Sequence, residues 1–147
     1  VQVVIAAVVM CAALVAGVVL RSRRRVEAPT QPAAAVPVQL DRADFPTATA
    51  PWAVVVFSSA SCHTCVDVVA KARVLESPGV SVVDVEFGAA RELHAKYAID
   101  AVPIVAVVDP DGVVHRGFAG PVTATDLWAA VADARDPGSS PEPELGH

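Results

Sequence analysis

A chain of 147 residues, 54% of them hydrophobic and with a formal net charge of −5, has room for one domain of about 100 residues and a few additions. The acid excess, and a sequence with no basic stripe interleaved with aromatics, argue against a nucleic-acid surface. Three cysteines do not make an extracellular disulfide framework.

Residues 1–20 read VQVVIAAVVMCAALVAGVVL, with Gln2 the one strongly polar side chain. About 20 apolar residues span a hydrocarbon core as a helix, so this segment reads as a transmembrane helix with Cys11 as inert packing. Arg21, Arg23, Arg24 and Arg25 follow directly. A secretory leader carries its charge before the apolar run, not after it. The positive-inside rule therefore expects the N-terminus outside and the domain on the cytoplasmic side of a single-pass protein. A start further upstream with basic residues would reverse this and make the domain extracytoplasmic. The four arginines contribute +4 to the net −5, so the rest of the chain carries −9.

Residues 21–35 form a basic flank and an Ala/Pro linker. Pro29 and Pro32, with Pro37 just beyond, forbid a regular helix and give a semi-extended tether. The folded domain is expected over 36–135, and the Pro, Gly, Ser and acid-rich 136–147 as a disordered tail. Within the domain, VPVQL (36–40) suits a short strand, and Asp41 and Asp44 a turn or short helix after it. WAVVVF (52–57) is a continuous apolar run, as in a strand buried on both faces. Helical spacing runs through 62–75, with Val66, Val69, Ala70, Arg73 and Val74 three or four apart. GVSVVDVEF (79–87) is strand-like, and 89–99 is a helix with Leu93 and Tyr97 on one face. IVAVV (104–108) and VVHRGFA (113–119) flank the DPDG turn of a hairpin. Thr123 caps a last helix, with Asp126 three residues on and Leu127, Ala130, Val131 and Ala134 facing inward. The order β-α-β-α-β-α-β-β-α implies an α/β domain with a central mixed sheet, mainly parallel at its centre, flanked by helices on both faces and preceded by one transmembrane helix. His94 and His115 are expected at the surface, His147 in the tail. Trp52 is expected to anchor the start of its strand and Trp128 to pack the last helix or cap its exposed face.

The chemistry concentrates in SSASCHTC. Cys62 and Cys65 are a redox pair, half of a metal site, or two packed thiols. A loop after a buried strand places Cys62 at a helix N-terminus, where unpaired N–H groups and the helix dipole stabilise a thiolate. Thiols so placed have pKa values of roughly 3.5–7.5 instead of about 8.5. Cys65, one turn on, faces the same side. Cys62 then attacks and Cys65 resolves. His63, once protonated, favours the Cys62 thiolate, and Thr64 donates a weak hydrogen bond or packs. A metal site needs more ligands than this pair offers. Further on, Pro103 immediately precedes an apolar strand. Proline suits a strand's first position, here especially as the cis isomer, and Val102 would then offer its backbone to an extended substrate beside the disulfide.

With these motifs the domain resembles the thioredoxin family over nearly all of 36–135. The carrying segments are VVVFSSASCHTC, YAIDAVPIVAVVDPDG and VHRGFAGPVTATDLWAAV. The resemblance implies a thioredoxin-like fold, with Cys62 and Cys65 as the redox pair, Pro103 as the cis-proline and Gly120 as the late glycine near the active-site surface. It also implies a thiol–disulfide oxidoreductase with no cofactor, acting on disulfide-containing substrates and fed by an electron-donating reductase or thiol pool. Departures are local. Ser61 stands where the family has tryptophan and Thr64 where it has proline. The family's buried aspartate falls at Val56, and its lysine partner at Asp84. Asp84 is therefore expected to replace the missing carboxylate as proton acceptor for Cys65, or else to lie on the solvated side of its strand. Two further readings stand beside the cytoplasmic oxidoreductase. One is a non-catalytic binding module using the surface around Pro103. The other is an extracytoplasmic disulfide reductase.

Overall fold

The computed structural model describes residues 35–138. The expected transmembrane helix at 1–20, nearly all of the 21–35 linker and residues 139–147 lie outside the described residues. Among the described residues, no helix is long and apolar enough to cross a membrane.

Among the described residues, four strands form one sheet: β1 (Trp52–Ser58), β2 (Val80–Glu86), β3 (Ile104–Val108) and β4 (Val114–Ala119), in spatial order β2-β1-β3-β4. Three helices accompany them among the described residues: α1 (His63–Arg73), α2 (Arg91–Lys96) and α3 (Ala124–Arg135). The turn or short helix expected around Asp41 and Asp44 is a 3-10 turn at Arg42–Asp44, and the Asp41 side chain caps it by accepting from Ala43 N.

The sheet is mixed, but its centre is not mainly parallel. β1 pairs parallel with β2, whereas β1–β3 and β3–β4 are antiparallel. Length explains the difference. At about 3.3 Å per residue a seven-residue strand spans about 23 Å, and at about 1.5 Å per residue a six-residue helix covers only about 9 Å. The eleven-residue α1 carries the chain back along the sheet, so β2 runs parallel to β1. The six-residue α2 is too short for that return. β3 therefore starts at the end where β2 stops. This topology brings the segment before β3 beside the loop after β1.

The expected strand at 36–40 is reduced to one bridge, Gln39 to Val113. It is held by Leu40 N to Gly112 O (2.8 Å) and Val114 N to Val38 O (3.0 Å). Pro37 has no N–H to extend the ladder. Val36 packs closely over Gly117, where a Cβ would collide with it.

Alternation along β1 and β3 divides the core in two. Val54, Val56, Val105 and Val107 meet α1 and α3, and Ala53, Val55, Phe57, Ile104 and Ala106 meet the N-terminal segment and α2. Leu127, Ala130, Val131 and Ala134 are buried on α3, as expected, beneath the Thr123 cap. Trp128 stays exposed on that helix.

The buried face of α1 differs from the expected one. Cys65, Val68 and Ala72 point inward, followed by Leu75, whereas Val66 is 66% and Val74 77% exposed. Both stripes carry apolar residues three or four apart, so periodicity alone does not separate them. His94 is also a correction: it is only 2% exposed. Its Nε2 donates to Val85 O (2.8 Å), and its ring meets Phe57 and Phe87 edge-on at 5.3 and 5.2 Å. A histidine on the inner side of a short helix can be buried because a strand carbonyl accepts its proton.

Candidate active site

β1 is buried at every position from Ala53 to Ser58, so it delivers the following loop from the most protected part of the sheet. That loop turns tightly, with Cys62 N donating to Ser59 O (3.0 Å). Cys62 has extended backbone angles, φ −97° and ψ 103°, and is the N-cap of α1. Its Sγ accepts from Cys65 N (3.1 Å), the service a serine or aspartate oxygen gives at other helix starts. Cys62 and Cys65 form a disulfide with their Cα atoms 5.3 Å apart. The two sulfurs are unequal in access: Cys62 is half-buried, and Cys65 is 2% exposed.

The Val102–Pro103 peptide, opposite the disulfide, is cis. The pairing of Phe57 with Ile104 puts Pro103 level with the end of β1. Val102 O lies 4.0 Å from Cys62 Sγ. Pro103 O in turn accepts from Gly120 N (2.8 Å). Gly120 has φ +92°, and an added Cβ would meet nothing, so its requirement is conformational. The residues singled out from sequence, Cys62, Cys65, Val102, Pro103 and Gly120, are thus brought to one end of the sheet. His63 and Thr64 sit exposed in the first turn of α1, between the cysteines.

Val56 is fully buried and pairs in register with Asp84. Period two along β2 puts Asp84 and Glu86 on the face of Val80 and Val82, the face that α1 covers. Asp84 is exposed at its edge, and Ser58 Oγ donates to its Oδ1 (2.5 Å). The same carboxylate lines a cavity of about 220 Å³ together with Ser58, Cys65, Val66, Val69 and Glu86. Asp84 is therefore solvated and also lines the same open cleft as Cys65.

Glu86 and Ser58 were not picked out from sequence. Ala60 N donates to Glu86 Oε1 (3.1 Å) and Ala89 N to Oε2 (3.0 Å). Backbone N–H groups of Gly88 first, then Ala60, hold this carboxyl below its ordinary range, against a smaller opposing effect of burial. The signal available was a glutamate ending a strand just ahead of Phe-Gly, which is weak. Among the described residues, no group of three His, Cys, Asp or Glu side chains is placed to hold a metal ion.

No protein-family model matches the chain. No curated protein does either. Solved structures resemble it. One is the X-ray structure of Fasciola hepatica thioredoxin, with 26% identity over 55% of this chain and 78% of that one and a TM-score of 0.49. Another is described as the structure of a malarial protein, with 15% identity over 56% of this chain and 94% of that one and a TM-score of 0.52. The second likeness is one of fold. The class defined by the mixed sheet, the flanking helices and the cysteine pair heading α1 is a thioredoxin-like α/β domain. Its close Cys62–Cys65 pair gives it the outline of a thiol–disulfide oxidoreductase.

Proposed function

We propose that the chain is a membrane-tethered thiol–disulfide oxidoreductase acting on protein or small-molecule disulfides. The Cys62 thiolate attacks one sulfur of the substrate disulfide, that bond breaks, and the other sulfur leaves as a thiolate. A mixed disulfide joins Cys62 to the substrate. Cys65 then loses its proton and attacks Cys62 Sγ, releasing the second substrate sulfur. Two electrons pass from the dithiol to the substrate, and the Cys62–Cys65 disulfide remains. An electron-donating reductase or thiol pool restores the dithiol, and no organic cofactor takes part.

The observation that carries this reading is the disulfide itself, closed at the start of α1 with the more accessible Cys62 sulfur beside Val102 O. The Val102 backbone is the proposed contact for an extended substrate, with Pro103 and Gly120 holding that edge. His63 and Thr64 tune the pair from the first turn. Asp84 is the proposed proton acceptor for Cys65, supported by the cavity they share. Tethering through 1–20, with the domain on the cytoplasmic side, rests on the apolar run and the arginines after it.

The test uses the full chain in detergent. Cys62→Ser should abolish reduction of a protein disulfide, and Cys65→Ser should trap substrate on Cys62. A potential near −270 mV marks a reductase, and one of about −120 to −180 mV an oxidant or isomerase. Cysteines that never re-form the disulfide would leave a binding module instead. Asp84→Asn should alter the pH dependence of turnover; an unchanged profile removes Asp84 from the mechanism. A reporter fused after residue 135 and active only outside the cytoplasm would reverse the topology.

A further inference from the structure

The loop that presents Cys62 is short, and one side chain from a distant strand holds it. Glu86 takes the N–H of Ala60, two residues before Cys62, on one oxygen and that of Ala89 on the other. It thus joins the loop after β1 to the loop after β2, across 26 residues of sequence. The space for this is kept open by Gly88, where an added Cβ would lie 2.9 Å from Glu86 Oε2 and 3.4 Å from Oε1. Gly88 has no positive φ, so the open space, not the backbone conformation, is what its lack of a side chain provides. The main chains also join here, through Phe87 N to Ser58 O (2.9 Å). That bond ends at Ser58, before the turn. Ala60, inside the turn, is reached by the Glu86 carboxylate.

We infer that Glu86 is a positioning residue, whose carboxylate clamps the Ser59–Cys62 turn and so fixes the Cys62 sulfur as the cap of α1. The sulfur accepts the Cys65 N–H only while Cys62 keeps its extended conformation. Releasing Ala60 frees the turn, weakens that cap and makes the Cys62 thiolate less favourable. The opposite effect is also present in principle, because removing a nearby anion favours a thiolate. Geometry dominates here: the carboxylate is engaged by backbone N–H groups, and it lines the Cys65 side of the pair. The titratable groups facing it are Asp84 on its own strand, Cys65 on α1 and His94 on α2.

This rests on Cys62 being the attacking thiol, but its test needs no turnover. Alkylation of Cys62 by iodoacetamide is followed against pH by mass spectrometry in the reduced full chain in detergent, together with amide exchange. Glu86→Gln can accept only one of the two N–H groups, since its amide nitrogen faces the other. It should raise the Cys62 midpoint by about half a unit, slow alkylation about threefold at pH values below that midpoint, and speed exchange at least about tenfold at whichever of Ala60 and Ala89 is left facing the amide nitrogen. Glu86→Asp keeps the charge but is one methylene short, and should behave like Glu86→Gln. Gly88→Ala keeps the glutamate, pushes it aside, and should shift the midpoint the same way. Asp111→Asn, on the far hairpin, should change neither reading. A midpoint that falls in Glu86→Gln, or a Glu86→Asp variant indistinguishable from wild type, would mean that Glu86 acts through charge alone and overturn the clamp. An unmoved midpoint in both Glu86→Gln and Gly88→Ala would overturn it too. Loss of disulfide reduction with these alkylation shifts intact would count against the proposed activity and leave the clamp standing.

Discussion

Each end of the sheet has a turn held by one carboxylate, but the two are built from different parts of the sequence. At the hairpin end, Asp109 Oδ1 accepts from Asp111 N and Val113 N, both at 2.9 Å, and Oδ2 is 2.7 Å from His115 Nε2. Every partner lies within six residues. At the cysteine end, Glu86 reaches Ala60 from a different strand. The Asp109 bonds need only the hairpin's own sequence, because an aspartate at a turn's start readily bonds the next backbone N–H groups. The cysteine turn needs β2 to be in register with β1. One end is a local feature of the chain, and the other is a product of the fold.

The largest expected effect removes what both ends share. Leu127 is fully buried where α3 meets the sheet, and Leu127→Ala should cost about 2–5 kcal/mol, read by denaturant unfolding. Amides at both ends should lose protection together; loss at one end alone would show that they are separate units. Next, Asp109→Asn should lower stability by about 1–2 kcal/mol while leaving Cys62 alkylation unchanged. A shift in Cys62 reactivity would show that the two turns are coupled.

The pH dependence of stability sharpens the contrast further. Burial raises the Asp109 carboxyl, but His115 and the N–H groups of Val113 and Asp111 outweigh it and leave the group below its ordinary range. Its contribution is therefore present above the unfolded value of about 3.9 and is lost as pH falls through the lower folded one. Asp109→Asn should flatten that acid limb of the melting temperature, and a limb of unchanged steepness would contradict the assignment. Lys96 runs the other way. Its bond to Asp44 raises it, so its contribution is complete below about pH 10.4 and fades as pH rises through the folded value. Lys96→Met should flatten the alkaline limb slightly. The smallest effect is expected from Val74→Lys on the exposed side of α1, within about 0.5 kcal/mol of wild type. A larger loss would mean that this side is covered.

Much of this was legible from the residues. The Asp-Pro-Asp-Gly hairpin, the Thr123 cap and the buried run of β1 are local patterns, and each stands where it was expected. Cys62 at the helix start and Pro103 beside it were legible too, because a motif fixed both. What failed depended on tertiary competition. Two stripes on α1 carry apolar residues at helical spacing, the expected one richer in valine but including Arg73, and packing against Val54 and Val56 chose the one through Val68. The direction of β3 hung on a helix of six residues, a boundary that composition does not mark. His94 looked like a member of a charged surface helix until Val85 O and two phenylalanine rings enclosed it. Glu86 looked like one more acid at the end of a strand, and only the register of β1 with β2 gives it Ala60.

The disulfide joins residues only three apart in the chain. A cross-link that short barely restricts an unfolded polypeptide, whose loop-closure entropy grows with the length enclosed. Oxidised and reduced forms should therefore expose nearly the same surface on unfolding and show equal denaturant slopes. A difference in their midpoints then has a direct meaning. By a closed thermodynamic cycle, that difference multiplied by the common slope is the free energy that corresponds to the difference in reduction potential between the folded and unfolded pair, about 30 mV for each 1.4 kcal/mol. Two equilibrium unfolding curves, one with reductant and one without, thus measure how far the fold itself has moved the cysteines from the potential of an unstructured dithiol.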